Sequence, residues 1–307
     1  MRLGILAWEP DEAESVGIAA VARERGHEAV VFELSDIGCA SAPMGTLPTI
    51  RGEDASEFDV ILSRAHVGRE GWRNAVERLR LLSDLPGVLM LDPVDVHVRT
   101  VSKFAMLHRL TQAGIPVPPT RSCRGVPDVE AACRTWGRVV VKPSVGFRGI
   151  DVERLPARLT DAHRAQVAGL LATYGELICQ PYYPHEGDHR VLVIGGEPSI
   201  CTRFHTGPQA WKPFPGDGLP PDAEWDVRIE VTEPPPAMVD VGIRATAAMG
   251  LSYAGVDIVE TDAGLVVMEV NVVPGWGALA PEYQDVPNRA VVDLVERSLA
   301  GAPAGSR

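Results

Sequence analysis

Short apolar runs alternate with amphipathic stretches along the first 95 residues of the chain. Apolar runs typical of buried strands lie at residues 3–7, 28–33, 59–65 and 87–91. Stretches with apolar residues at helical spacing lie at 12–25 and 70–82. This alternation predicts an open parallel sheet with crossover helices. The turn after the first strand, 8–11, contains no glycine, which argues against a dinucleotide site of the Rossmann type.

The pattern changes from about residue 99 onward, where strands and helices no longer alternate one by one. Predicted helices lie at 102–112, 126–137, 161–174, 235–250 and 289–299. Predicted strands lie at 139–141, 150–153, 177–183, 189–194, 198–204, 253–260 and 265–271. The pair Gly195-Gly196 predicts a two-residue hairpin turn between two of these strands. The chain is therefore predicted to be α/β, with α+β character in its C-terminal half.

Composition and charge narrow the classes of partner. The 307 residues carry 29 Lys and Arg against 41 Asp and Glu, a net charge of −12. Nucleic acid and anionic membrane surfaces are therefore not expected partners, and no apolar run approaches the ~18 residues that a membrane span needs. Five cysteines, an odd number without metal-binding spacing, indicate free thiols in a reducing compartment. We therefore expect a cytoplasmic protein.

Lysine is rare among the 29 basic residues, and the three lysines are Lys103, Lys142 and Lys212. The chain uses arginine elsewhere, so each lysine marks a place where a compact ammonium is a candidate functional group. Lys142 follows a buried valine run and precedes a loop that contains Ser144, Gly146 and Gly149. The glycines allow backbone N–H groups to point at an anion, which predicts a phosphate site. The same glycines are equally compatible with an ordinary turn.

The last predicted hairpin carries a candidate metal site. Glu269 and Asn271 alternate with apolar residues on its second strand, so both lie on one face. The turn length places Asp257 opposite Glu269 or one step away, about 5 Å across the strands. Two carboxylates and an amide oxygen at one spot favour a hard divalent cation, Mg²⁺ or Mn²⁺, with positions left for phosphate oxygens. A solvated sheet face is the alternative, because acidic residues are common on exposed strands.

A third group of candidates lies around a long loop. Residues 205–229 are rich in Pro and Gly without periodicity, and their length suggests a lid. Arg203 precedes this segment, and Trp211 and Lys212 lie in it, a set suited to closing over anionic groups. Residues 188–190, Asp-His-Arg, lie further upstream. Taken singly, each of these residues favours a structural role over a functional one.

Taken in order, these segments resemble the ATP-grasp superfamily, most closely the RimK-like branch of carboxylate–amine ligases. The resemblance covers nearly the whole chain from about residue 90. Its most specific part is Asp257, followed twelve positions later by Glu269-x-Asn271-x-x-Pro274-Gly275. The other matching segments are Asp92-Pro93, Ser102-Lys103, 113–118, Val141-Lys142-Pro143, 188–191 and 193–196.

The resemblance implies an ATP-grasp fold with an N-terminal open parallel-sheet domain over residues 1–98. A central ATP-grasp subdomain with the Lys-Pro and glycine loop is expected at 99–178. A C-terminal subdomain with the metal-binding hairpin is expected at 179–301, and a disordered tail at 302–307. We also expect a homo-oligomer, either a dimer or a tetramer.

The resemblance also implies a role for each candidate residue. Lys103 and Lys142 are expected to contact ATP phosphates or the adenine edge, with the loop of Ser144, Gly146 and Gly149 beside the phosphates. The expected adenine and ribose contacts are Gln180, Tyr182, Tyr183, Glu186 and Asp188. The residues expected to face the transferred phosphate and the substrate carboxylate are Arg190, Arg203 and Lys212. The residues expected to hold two Mg²⁺ (or Mn²⁺) ions are Asp257, Glu269 and Asn271.

The implied activity is ATP-dependent ligation of a carboxylate to an amine through an acylphosphate, with release of ADP and phosphate. The expected substrates are an amino acid, a small peptide or a biosynthetic intermediate. One alternative is an ATP-grasp phosphotransferase that phosphorylates a hydroxyl group. Another is a nucleotide-binding module without catalysis, although the complete set Asp257, Glu269 and Asn271 argues against it.

Overall fold

The structure is a computed structural model that describes residues 1–9, 11–42, 45–65, 72–146, 149–185, 187–206 and 227–301. Some residues of the sequence analysis lie outside these ranges. They are Glu186, Trp211, Lys212, most of the predicted lid and the predicted tail at 302–307.

The N-terminal part contains a four-stranded parallel sheet with strand order β2-β1-β6-β7. The elements of this part are β1 (Arg2–Leu6), α1 (Ala13–Glu24), β2 (Glu28–Phe32), β3 (Ile37–Ala42), β4 (Gly45–Ile50), β5 (Glu53–Asp54), β6 (Val60–Ser63), α2 (Trp72–Ser83), β7 (Leu89–Leu91) and α3 (Val94–Val101). The predicted open parallel sheet is thus confirmed. The antiparallel sheet of β3, β4 and β5 was not predicted, because Gly, Ser, Thr and Pro interrupt its apolar pattern.

The central part is a second four-stranded sheet, antiparallel, with strand order β10-β9-β11-β8. Its elements are α4 (Lys103–Gln112), β8 (Arg121–Cys123), α5 (Val126–Trp136), β9 (Val139–Pro143), β10 (Glu153–Leu155), α6 (Asp161–Tyr174) and β11 (Leu177–Pro181). Helix α6 has the bounds that its sequence predicts. The hydroxyl of Thr160 accepts a hydrogen bond from the His163 N–H at its start, and Gly175 ends it at a φ of 73°.

The C-terminal part is a five-stranded antiparallel sheet with strand order β14-β13-β12-β15-β16. Its elements are β12 (Asp188–Ile194), β13 (Glu197–Thr206), β14 (Val227–Val231), α7 (Pro236–Met249), β15 (Tyr253–Thr261), β16 (Gly264–Asn271) and α8 (Pro281–Gly301). The hairpin turn at Gly195-Gly196 is confirmed, since both residues have positive φ. The ends of the predicted 205–229 loop belong instead to β13 and β14. Helix α8 begins eight residues before the predicted 289, with Pro287 inside it.

One hydrophobic core joins the first and last parts of the chain. It contains Leu3 from β1 and Ile18 from α1, together with Tyr253 from β15 and Val291 from α8. An ion pair and a hydrogen bond lie beside this contact, since Arg25 Nη1 is 2.6 Å from Asp293 Oδ1 and His27 Nε2 is 2.7 Å from Glu296 Oε1. The N-terminal sheet is therefore held against α8, while the predicted domain bounds stay a prediction.

All five cysteines carry free thiols, as predicted. None of the helices within the described ranges combines the length and the apolar content that a transmembrane helix requires.

Asp92, which follows β7, contacts Ser252, which precedes β15, and this contact makes the stability of the protein depend on pH. Its buried carboxylate accepts hydrogen bonds from the Ser252 N–H, at 3.0 Å to each oxygen. Burial raises the pKa of Asp92 to about 6, although the Ser252 N–H acts in the opposite direction. The folded protein therefore holds this proton more tightly than the unfolded chain, and the contribution to stability falls as pH rises toward and through 6.

We expect the free energy of unfolding of the wild type to fall by about 2 kcal/mol, relative to Asp92→Asn, between pH 4.5 and 7.5. Urea unfolding at both pH values, followed by circular dichroism, measures this difference. An equal change in the two proteins would contradict the raised pKa of Asp92.

Candidate active site

The parallel N-terminal sheet, the central sheet and the C-terminal sheet meet around one open cavity of about 480 Å³. Strands β9 and β16 and helix α4 form one wall, and the loop between β11 and β12 forms another. The loops after β1 and β6 reach the cavity from the N-terminal sheet. Charged side chains from all of these elements therefore face a common space.

The β15–β16 hairpin brings the predicted oxygen ligands together. Asp257 is the direct cross-strand partner of Glu269, and Gly255 is the partner of Asn271. The Asn271 Nδ2 group donates a hydrogen bond to Asp257 Oδ2 at 3.0 Å, so its amide oxygen remains available. Direct cross-strand partners project from the same face of the sheet, and a bulge shifts the register just beyond this pair.

Cations from two other elements neutralise these carboxylates. Arg190 on β12 makes a bidentate pair with Asp257, with distances of 2.6 Å from Nε to Oδ1 and 2.9 Å from Nη2 to Oδ2. Lys103, at the start of α4, places Nζ 2.7 Å from Glu269 Oε1 and donates to the Gly146 carbonyl at 2.9 Å. Burial acts to raise the pKa of Glu269, but Lys103 and Lys142 outweigh it and hold that pKa below its ordinary value. Glu269 is therefore ionised at neutral pH.

Lys142 extends from β9 into the same space. Burial, together with the neighbouring Lys103, lowers the pKa of Lys142 to about 8. Asp188 at the start of β12 is affected in the opposite direction, since burial raises its pKa to about 6 while His185 Nδ1, 3.1 Å away, opposes the rise. An added anion would stabilise the charged form of Lys142, as expected for a phosphate-binding lysine.

Most of the predicted site residues line the cavity. Those that do are Lys103, Lys142, Gly146, Gly149, Tyr182, Tyr183, Asp188, Arg190, Asp257, Glu269 and Asn271. Within the described part of the chain, Ser144, Gln180 and Arg203 are not among the lining residues. The Ser144 carbonyl accepts a hydrogen bond from the Lys103 backbone N–H at 2.8 Å. The Gln180 side chain donates to the Thr120 hydroxyl at 2.8 Å. Arg203 lies opposite Glu230 in the register of β13 and β14.

The ring of Tyr182 also lines the cavity. Two guanidinium groups lie over this ring. That of Arg138, just before β9, is 5.2 Å from the ring centroid, and that of Arg154, on β10, is 5.1 Å from it. The Tyr182 N–H is engaged by the Arg138 carbonyl at 2.9 Å. These contacts hold the ring in place.

Sequence reasoning missed the residues that the N-terminal sheet contributes. Trp8, Glu12 and Glu14 follow β1, Arg64 follows β6, and all four line the cavity. One signal was present in the sequence, because Arg64 directly continues the apolar strand predicted at 59–65. A charged residue at the carboxyl end of a buried parallel strand is a ligand-binding candidate.

The donor set is compatible with magnesium. Among the described residues, no three His, Cys, Asp or Glu side chains form a metal-binding group. A divalent ion at the hairpin would therefore rest on the Asp257 and Glu269 carboxylates and the Asn271 amide oxygen. The remaining positions would be left to water or to phosphate oxygens, which is the usual arrangement for Mg²⁺ with a nucleotide.

Comparisons with known proteins agree with this geometry. A family model for the RimK-like ATP-grasp domain matches residues 230–283. A probable alpha-L-glutamate ligase of Trichodesmium erythraeum is 24% identical over 100% of both chains. Another, from Shewanella sp. strain MR-4, is 26% identical over 97% of this chain and 96% of the relative.

Solved structures share the fold. The RimK domain ATP-grasp protein from Sphaerobacter thermophilus has a TM-score of 0.69 at 21% identity and covers 96% of this chain and 100% of its own. The D-cycloserine synthetase DcsG has a TM-score of 0.71 at 20% identity, with 97% and 100% covered. The ligase PsnB, solved with a minimal precursor, has a TM-score of 0.70 at 20% identity, with 95% and 98% covered. The predicted fold and family resemblance are thus confirmed.

Proposed function

Since the chain has the ATP-grasp fold and resembles the RimK-like branch, we propose that it is an ATP-dependent carboxylate–amine ligase. The relatives that align over its whole length are named probable alpha-L-glutamate ligases. Structural neighbours include the ATP-grasp ligase PsnB with a minimal precursor, the macrocyclase MdnC with a precursor peptide, and the D-cycloserine synthetase DcsG. These names support an amino acid, a small peptide or a related intermediate as substrate.

One observation carries the proposal. Lys103, Lys142 and Arg190 meet the acidic pair Asp257 and Glu269 on a single cavity of about 480 Å³. Cations in such a space neutralise the phosphates of a nucleotide, and the carboxylates hold the accompanying divalent ion. Apolar residues and the ring of Tyr182 also line this cavity and offer a surface for the base.

The reaction needs no nucleophile from the protein. A substrate carboxylate oxygen attacks the γ-phosphorus of ATP, the bond to the bridging oxygen breaks, and ADP leaves. The amine of the second substrate then attacks the acyl carbon, the carbon–oxygen bond of the acylphosphate breaks, and orthophosphate leaves. The proton lost by the amine passes to solvent, and the product is an amide.

The chain's own residues serve this reaction by placing charge. Lys142 and Lys103 would contact the phosphate oxygens, and Arg190 would neutralise the negative charge that builds up on the transferred group. Asp257, Glu269 and Asn271 would hold one or two Mg²⁺ ions, which supply further charge neutralisation at the phosphates. Lys103 and Arg190 already pair with these carboxylates in the structure, so the charges of the site are arranged before the nucleotide binds.

We expect ADP and orthophosphate to appear in equal amounts, and only when ATP, a carboxylic acid and an amine are all present. A coupled assay for ADP and a separate phosphate assay, run over a panel of amino acids and short peptides, measure both products. A stable phosphoester without orthophosphate would instead indicate a phosphotransferase. AMP and pyrophosphate as products would contradict the proposal.

A further inference from the structure

The segment after β16 connects the β15–β16 hairpin to the N-terminal part of the protein. Asn271 is the last residue of β16, and residues 274–277 follow it without forming helix or strand. Val273 and Gly275 of this stretch line the cavity beside Asn271. The position of this segment therefore shapes the site next to the candidate metal ligands.

The beginning of the segment turns back against the hairpin. The Asn271 Nδ2 group lies 3.3 Å from the Gly255 carbonyl oxygen and donates to Asp257 Oδ2 at 3.0 Å. Pro274 covers Gly255 so closely that a Cβ added to this glycine would lie 2.9 Å from the Pro274 Cβ. Because such contacts leave no free space, a shift of Pro274 would also displace Gly255 and Asn271.

Helix α1 holds the end of the segment through Glu14. Oε1 of this side chain accepts hydrogen bonds from the backbone N–H groups of Trp276 and Gly277, both at 2.6 Å. Glu14 lies in the first turn of α1, where an acidic side chain is favourable, and it is only 7% exposed. Hydrogen bonds from N–H groups to a carboxylate are stronger than those between neutral groups. Glu14 is therefore a strong anchor for this end of the segment.

The same contact requires glycine in the segment. A Cβ added to Gly277 would lie 2.9 Å from the Ala13 Cβ, and 3.2 and 3.3 Å from the two Glu14 oxygens. One added to Gly275 would lie 3.3 Å from Glu14 Oε1. Gly277 does not have a positive φ, so the close approach to α1, and not the backbone conformation, is what excludes a side chain there.

Other side chains hold other groups of the segment. Arg64 Nη2 donates to the Pro274 carbonyl at 3.1 Å, and Trp276 Nε1 donates to Asn288 Oδ1 at 2.9 Å. Neither contact involves the backbone N–H groups that Glu14 accepts. Loss of the Glu14 carboxylate would therefore leave these N–H groups without that acceptor, which is unfavourable beside the buried Trp276.

We propose that Glu14 is a positioning residue for the divalent-ion site. Its carboxylate fixes residues 274–277, and this segment keeps Asn271 and Asp257 in the arrangement that receives the ion with the nucleotide. Glu14 acts on the affinity for Mg²⁺ through the segment and not as a ligand. This role rests on the ligase function proposed above, and it adds a residue outside the hairpin on which the ion site depends.

The role is tested by the affinity for ADP in Mg²⁺ divided by the affinity for ADP in EDTA, both measured by calorimetry. This ratio reports what the ion contributes to nucleotide binding. Neither ligase substrate is present, so a contact between Glu14 and a substrate does not change it. We expect Glu14→Ala to lower the ratio about tenfold, as for residues that orient metal ligands. Glu14→Gln keeps an acceptor oxygen without the charge, so its ratio should lie between those of Glu14→Ala and the wild type.

Asp92→Asn is the matched control for Glu14→Gln. Asp92 is also a buried carboxylate that accepts a backbone N–H from the C-terminal part, but it is not among the residues that line the cavity within the described ranges. A residue that only stabilises the fold lowers the Tm and leaves the ratio unchanged, and we expect this result for Asp92→Asn. A ratio in Glu14→Ala within about twofold of the wild type, or an equal fall in Asp92→Asn, would overturn the proposal.

Gly277→Ala gives an independent test, because it leaves Glu14 in place but moves the segment away from α1. We expect a similar fall in the ratio, and Gly277→Ala decides the question if Glu14→Ala does not fold. Gly169→Ala is its control, since a Cβ added at this exposed position of α6 meets nothing within 4 Å. The double variant of Glu14→Ala and Gly277→Ala should show no more than the larger single effect, because both changes break one contact. A wild-type ratio in Gly277→Ala, or additive effects, would overturn the positioning role.

Failure of the ligase function can be recognised separately. If the wild type binds ADP more tightly in Mg²⁺ than in EDTA but no acid and amine support ADP release, the ligase function alone is contradicted. The variants then still decide whether Glu14 positions the ion site. If the wild type binds ADP equally in Mg²⁺ and in EDTA, or does not bind it, the ion site and the role of Glu14 are both overturned.

Discussion

Glu269→Ala is expected to lower kcat by about 10³-fold or more while the protein remains folded. Glu269 supplies one of the two carboxylates at the hairpin and receives Lys103 at 2.7 Å. Its removal takes away a ligand for the divalent ion and leaves the Lys103 ammonium with only the Gly146 carbonyl of its two partners. Because the Glu269 side chain is 35% exposed, little packing is lost. The rate of ADP release, measured alongside thermal unfolding, separates these two effects.

Glu260→Ala is the matched control for this variant. Glu260 lies on β15 of the same hairpin, and it is exposed and does not line the cavity. We expect wild-type turnover from it. Wild-type ATP turnover in Glu269→Ala would contradict both the catalytic role of the hairpin and the assignment of a magnesium site to it.

Lys142→Met is expected to lower kcat/KM for ATP by about 10²-fold, because the apolar side chain keeps the length but not the charge. The wild type should also lose kcat/KM for ATP as pH rises above 8, since burial and Lys103 lower the pKa of Lys142 to about 8. The protonated lysine binds phosphate and the neutral amine does not, so the affinity is present below that pKa and is lost above it. The pH profile of kcat/KM reports this group in the free enzyme.

Lys142→Arg tests whether the loss of kcat/KM above pH 8 is caused by Lys142, because a guanidinium stays charged over the whole accessible pH range. We expect its profile to remain flat above pH 8, even if its rate is lower. Arg124→Met is the control, as Arg124 follows β8 of the same sheet, is 81% exposed and pairs with Glu176. If kcat/KM for ATP in Lys142→Arg still falls near pH 8, the loss is caused by another group.

The fold could be predicted wherever local pattern and burial agree. The valines of β9 alternate between buried and half-buried positions, and α6 has both a capping hydroxyl and a terminal glycine. Prediction failed where the pattern was interrupted. Helix α8 extends upstream through Pro287, where the Gln284 side chain donates to the Gly277 and Leu279 carbonyls, contacts that the predicted apolar pattern does not reveal. Strand β14 was missed, since it is stabilised by its pairing with β13.

For the candidate site, the sequence predicted which side chains lie close together when they belong to one strand or one motif. The pairing of Asp257 with Glu269 follows from the length of their turn, and the alternation along β16 puts Asn271 on the same face. The contacts of Glu14 and Arg64 could not be found in this way. They depend on how the N-terminal sheet meets residues 274–277, a separation of more than 200 residues.

The core shared by β1, α1 and α8 has a consequence for how the protein is made. Leu3 and Ile18 leave the ribosome long before Val291 and Val295, which complete their packing. The apolar surface of the nascent N-terminal sheet therefore stays uncovered until α8 has been translated, and during that time chaperone binding or aggregation competes with folding. A chain released before α8 should be far more prone to aggregate than its length alone suggests.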